Sequence, residues 1–177
     1  MQPAEDLDAS ILAVASPYDF ALRDLVAATA CVQLASKEDH TVGRLFENAD
    51  FLPGALVQLL LVQGGESAED KELSTRLLLI ALTAMQNLSF YGNLKTALQF
   101  YDANVFKAAV ARLSQSEDSK PVSVFLQLAT NILLELPTAV HEFFEADFLR
   151  LAEFHMASEQ VQNSLSWTLR NVVVLSP

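Results

Sequence analysis

The chain has 177 residues, 51% of them hydrophobic, with 11 basic against 22 acidic side chains and a formal net charge of −11. Such a chain is long and apolar enough to bury a core as one domain and is not a disordered segment, while five glycines and six prolines are too few to turn the corners of a many-stranded sandwich or barrel. The acidic balance repels phosphate backbones and anionic lipid surfaces, so neither a nucleic-acid nor a membrane partner is expected; basic or neutral-apolar partners fit more easily, and solubility alone is a sufficient reason for the charge.

Helical periodicity runs through the chain. A helix near 5–15 sets Ile11, Leu12 and Val14 against Glu5, Asp6 and Asp8. It reads as an N-terminal cap, and without a basic leading segment it does not read as a secretory signal. A second helix near 18–36 holds Cys31, the one cysteine. A single thiol makes no internal disulfide, so a buried, inert Cys31 in a reducing compartment, cytoplasm or nucleus, is expected. Helices near 40–48 and 51–63 follow, then a polar loop over 64–70. A long helix over 71–91 carries Leu73, Leu77, Ile80, Ala81, Ala84 and Leu88 at three- and four-residue steps. Gly92 stops it. Short helices near 93–102 and 104–114 lead to a second polar loop at Ser116–Ser119, with Pro121 suited to the first turn of the next helix. That long helix, 122–136, ends before Pro137. Short helices near 138–145 and 147–156 precede a last long helix over 161–175. No segment alternates with a period of two, so the class is all-α.

Two landmarks recur. One is a small break before a new helix: Ala49-Asp50-Phe51-Leu52, Ala103-Asn104-Val105-Phe106 and Ala146-Asp147-Phe148-Leu149. Asp50, Asn104 and Asp147 read as N-caps accepting the first free N–H groups of the helix that follows. The other is an amide then an aliphatic late in each long helix: Asn87-Leu88, Asn131-Ile132 and Asn171-Val172, with Gln33-Leu34 as a weaker first copy. From Gln33 to Asn87 and from Asp50 to Asn104 is 54 positions each; the next steps are 44 and 43, and Asn131 to Asn171 is 40. Two landmarks stepping together point to a repeated unit of two short helices and one long one. Such a unit cannot bury its apolar stripe alone and gains a core by stacking.

This unit resembles the armadillo repeat. Trp167-Thr168-Leu169-Arg170-Asn171-Val172 looks like the family's third-helix pattern of Trp, three residues, Asn and an aliphatic; Asn87-Leu88-Ser89 followed by Asn93 is similar to its passage into the next repeat. Thr83 and Gln127 hold the matching Trp positions, and Asp or Asn replaces the family's usual Gly before the second helix. The resemblance implies a right-handed α-solenoid of about three to four repeats: capping helices over 1–36, repeats over 37–91, 92–137 and 138–177, and no separate C-terminal cap. It further implies a non-catalytic adaptor or scaffold holding an extended peptide or partner segment along its concave face. Asn87, Asn131 and Asn171 would hydrogen-bond the peptide backbone, for which an amide supplies donors and an acceptor. Trp167 would stack beside the ligand, Thr83 and Gln127 would complete the rows, and Arg170 could reach an acidic group. The competing reading gives these amides a structural role, bonding a neighbouring helix.

Other residues carry weaker expectations. Phe90 and Tyr91 read first as packing against the next helix and second as a partner's anchor; Phe143, Phe144, Phe148 and Phe154 read as core. His141 and Glu145 are one turn apart, but a metal needs three or four ligands and no third is evident. No phosphate loop, nucleophile elbow or paired-cysteine motif occurs, so no enzyme, cofactor or metal is expected. Val173 and Leu175 follow the last Asn with no polar repeat behind them. They suggest self-association through the C-terminal face, and with it the alternative of a structural subunit in a homo-oligomer or larger assembly.

Overall fold

The structure is a computed structural model that describes residues 3–37 and 50–175. Among the described residues the regular structure is entirely helical: α1 (Pro3–Ala15), α2 (Leu22–Ala35), α3 (Leu52–Leu59), α4 (Ala68–Tyr91), α5 (Leu94–Asp102), α6 (Val105–Leu113), α7 (Ser119–Glu135), α8 (Val140–Glu145), α9 (Phe148–Phe154) and α10 (Glu159–Leu175), with single 3₁₀ turns at Pro17–Asp19 and Pro137–Ala139. The helix expected over 40–48 lies outside the described residues.

Local chemistry explains the boundaries. Ser67 caps α4 by accepting from the Asp70 N–H at 3.0 Å, and its own hydroxyl donates to the Asp70 carboxylate at 2.8 Å. Asn93 accepts from the Lys95 and Thr96 N–H groups to start α5, and Asp118 accepts from the Lys120 N–H to start α7. Gly92 is required between α4 and α5 by close approach: a Cβ there would lie 2.6 Å from the Leu88 carbonyl oxygen and 2.8 Å from Thr96. Asn104 and Asp147 are not N-caps by side-chain bonding, contrary to expectation. Both stand in the left-handed region, with φ of 58° and 63°, and neither side chain bonds the helix that follows. Asn and Asp visit that region more readily than other residues with a side chain, which is why these types recur there.

The long helices form a row. α2 packs on α4, α4 on α7 and α7 on α10, while the shorter helices α1, α3, α5, α6, α8 and α9 contact one another in succession behind them. Buried apolar residues from Ile11 to Val172 make one continuous cluster. Phe100, Phe125, Phe143 and Phe148 are fully buried, and the Phe143 and Phe148 rings stack at 3.8 Å. Each such side chain contributes about 1.5–3 kcal/mol of transfer free energy. Phe144 and Phe154 depart from the expected core: they turn outward, Phe154 with most of its surface in solvent. Cys31 is exposed on α2, not buried.

Hydrogen bonds across the row set its register. Asn87 Nδ2 on α4 donates to Ser36 Oγ at the end of α2 (3.1 Å), Asn131 Nδ2 on α7 donates to Ser89 Oγ on α4 (3.0 Å), and Thr168 on α10 meets Thr130 on α7 (2.8 Å). Ser36 and Ser89 in turn each donate to the carbonyl three residues back, Gln33 and Gln86, at 2.8 Å. Gln33 is thus equivalent to Gln86, one place off the sequence alignment with Asn87, and the corrected step is 53. The three bonded pairs are 51, 42 and 38 residues apart, each two short of the steps of 53, 44 and 40. Each long helix therefore reaches back to the same relative place on its predecessor, and the C-terminal ends of all four lie along one edge. Ser123 also meets Ser164 at 2.8 Å nearer the start of α7 and α10, so those two helices run parallel.

Candidate functional site

The exposed side of the row is where most of the expected site residues fall. Gln127 and Asn131 of α7 and Trp167 of α10 line one open groove of about 380 Å³, together with Gln86 and Phe90 of α4 and Asn163 and Ser164 of α10. The groove crosses three helices, and none of its lining residues is charged. Trp167 is 55% exposed and Phe90 67% exposed, so two large aromatic faces meet solvent there. The expectation that Phe90 packs against the next helix is corrected: it turns into the groove, its ring edge against Tyr91 at 5.1 Å.

The three asparagines do not behave alike. Asn87 and Asn131 are half-buried, and each gives one amide hydrogen to the preceding helix, Asn131 also approaching the Gln86 carbonyl at 3.4 Å. An asparagine amide has two hydrogens and an oxygen; the second hydrogen of Asn87 and the side-chain oxygens of both residues have no partner among the described residues. Asn171 bonds its own helix, donating to the Trp167 carbonyl at 2.8 Å. The reason is in the register: the place filled by Ser36 before Asn87 and by Ser89 before Asn131 is filled by Leu133 before Asn171, and leucine offers no acceptor. Gln127 makes only a long contact to Ser164, 3.4 Å. Thr83 is half-buried with its hydroxyl bonded to the Leu79 carbonyl at 2.7 Å, and Arg170 is exposed on α10. Thr83, Asn87, Asn171 and Arg170 are not among the residues lining the groove. Val173 is exposed; the side chain of Leu175 lies outside the described residues.

Two other clefts of similar size lie among the short helices. One, about 360 Å³, is lined by Val110, Ser114, Asp147, Arg150, Leu151 and Phe154. The other, about 250 Å³, lies beside Tyr101, Asp102, Lys107 and Glu142. In the latter the Tyr101 hydroxyl donates to Glu142 Oε1 at 2.6 Å. That bond holds the Glu142 carboxyl below its ordinary range and, with burial, raises the Tyr101 phenol above its own. Volume does not choose among the three; convergence of amides and exposed aromatics from separate helices does. No known protein family, curated protein or solved structure matches this chain.

Chemically the groove can bind but has little with which to catalyse. It holds no titratable acid or base, and its one hydroxyl, Ser164, is engaged with Ser123. Among the described residues no three His, Cys, Asp or Glu side chains are grouped for a metal; His141 pairs with Glu145 at 3.1 Å on the surface of α8. No helix there is long and apolar enough to cross a membrane. Sequence reasoning missed Gln86, Asn163 and Ser164 of the groove and the serines behind it. The signal for the serines was present as Gln-x-x-Ser at 33–36 and 86–89.

Proposed function

We propose that this chain is an armadillo-like α-solenoid acting as a non-catalytic adaptor, and that a peptide or partner segment lies in extended form across α4, α7 and α10. The observation that carries the reading is the convergence of Gln127, Asn131 and Trp167, chosen from sequence, on one open, uncharged groove. Amides there offer hydrogen bonds to a backbone, and Phe90 and Trp167 offer apolar faces to its side chains. The left-handed Asn104 and Asp147 also support the resemblance, since they stand where the family uses glycine. The decisive experiment is affinity capture from cell extract with the chain and with its Asn87→Ala/Asn131→Ala/Trp167→Ala form. The adaptor reading expects a partner captured by the first and lost by the second, with both folded by circular dichroism. Identical captures would end it.

A second reading makes the chain a structural subunit that associates through its C-terminal face. Val173 and Val174 on the last helix, 73% and 77% exposed, favour it. It expects concentration-dependent mass in sedimentation that Val173→Glu abolishes; a monomer at high micromolar concentration contradicts it.

A further inference from the structure

The seam between α7 and α10 is polar along much of its length. Ser123 Oγ meets Ser164 Oγ at 2.8 Å, and Thr130 Oγ1 meets Thr168 Oγ1 at 2.8 Å, with the Thr168 hydroxyl also 3.2 Å from the Leu126 carbonyl. At the corner before α10, His155 Nδ1 lies 3.1 Å from the hydroxyl of Ser119, the first residue of α7. Positions 119, 123 and 130 follow steps of four and seven, which is one stripe down the α10-facing side of α7. Of the eleven buried polar side chains among the described residues, five lie on this seam: Ser123, Thr130, His155, Ser164 and Thr168. The apolar hold on α10 comes from buried Val161 and Val172, with Leu165 and Leu169 partly covered. α10 also packs on one long helix, α7, whereas α4 and α7 each pack on two.

Such a seam opens more cheaply than an apolar one of equal area. A hydroxyl pair gains little net free energy when closed, because water takes the partner's place when it parts. An apolar pair has no such replacement. His155 adds a bias toward opening. It is 4% exposed, and its Nε2 is buried without a partner. Whichever ring nitrogen carries the proton, Nε2 is a donor or an acceptor left unmet. The closed layer bears that desolvation cost, and opening returns the atom to water. We propose that α10 is a hinged layer that parts from α7 along this seam, turning at the His155–Ser158 corner, while α2, α4 and α7 stay packed. Ser164 belongs to both the seam and the groove. Opening therefore carries Asn163, Ser164 and Trp167 away from Gln127 and Asn131, and the groove is whole only when α10 is closed. A ligand bridging α7 and α10 shifts the layer toward closure by its greater affinity for the closed form. The control of the groove rests on the adaptor reading; the hinge itself does not.

The test is native-state hydrogen exchange on the full chain without ligand, read helix by helix by mass spectrometry. The hinge expects the α10 amides to exchange at least about tenfold faster than those of α4, through an opening that leaves α4 protected. Two variants separate the seam from plain fraying. Thr130→Val/Thr168→Val replaces both partners of one pair by apolar groups of the same shape, and His155→Met replaces the ring with an unbranched apolar side chain that removes the unmet nitrogen. Each is expected to slow α10 exchange about tenfold and to leave α4 exchange unchanged. Exchange of α10 and α4 at one common rate overturns the hinge, because the chain then opens as a single unit. So does fast α10 exchange that neither variant slows, because the seam then does not govern it. Neither result touches the groove, which is judged by capture of its partner with the Asn/Trp variant.

Discussion

Asn131 donates its amide hydrogens to Ser89 and, at 3.4 Å, to the Gln86 carbonyl, so it ties two helices together and keeps its oxygen as an acceptor at the groove. The two tasks are separable by mutation. Ser89→Ala removes the acceptor on α4 but nothing in the groove; it should cost about 1 kcal/mol of stability, as a part-buried hydrogen bond does, and leave partner binding intact. Urea unfolding of Ser89→Ala, Asn131→Ala and the pair checks this, with a coupling of about 1 kcal/mol in the double-mutant cycle. Asp147 carries a backbone cost that its neighbours do not. Asp147→Gly should be neutral or stabilising, and Asp147→Val should destabilise by about 1–2 kcal/mol, because a β-branched residue resists φ near 63°. The Tyr101–Glu142 bond sets a pH window. The lowered carboxyl stabilises above its ordinary value of 4.5, and this is lost as pH falls through the lowered one; the raised phenol stabilises below 10.0, and this is lost as pH rises through the raised one. Tyr101→Phe should therefore flatten part of the acid-side loss, read as the denaturation midpoint between pH 3 and 7.

At the scale of elements, the long helices were legible because each carries an apolar face at three- and four-residue steps, and α4, α7 and α10 begin within three residues of their expected starts. The short helices were legible from the breakers between them. Side-chain direction was less so. Cys31 sits in an apolar run, yet it is exposed on α2; a one-dimensional pattern does not say which side of a helix its neighbours cover. Phe90 was misplaced for a related reason: periodicity marks it as apolar but does not say whether a neighbouring helix covers it. The breaks at Asn104 and Asp147 were found from composition, but their purpose was mistaken, since Asn and Asp serve both N-caps and left-handed turns. The alignment of Gln33 with Asn87 slipped by one because an amide was matched to an amide. The hydrogen bonds follow the serines, and Ser36 and Ser89 were the better landmark.

For the whole molecule, the groove exists only because three helices at sequence distances of about forty residues stand in one register. The amides and Trp167 could be chosen from sequence, but which of them share a groove could not. Asn87 lies toward α2 and Asn171 folds back on its own helix, while Gln127, Asn131 and Trp167 converge. Trp167 is the chain's one tryptophan, so the groove carries its own optical reporter. The most direct measurement is its fluorescence during titration with the captured partner segment, alongside an independent binding signal. Binding in the groove predicts a blue shift and protection from acrylamide quenching that saturate with the binding curve. Full binding with Trp167 emission and quenching unchanged would contradict the assignment of this groove as the partner's seat.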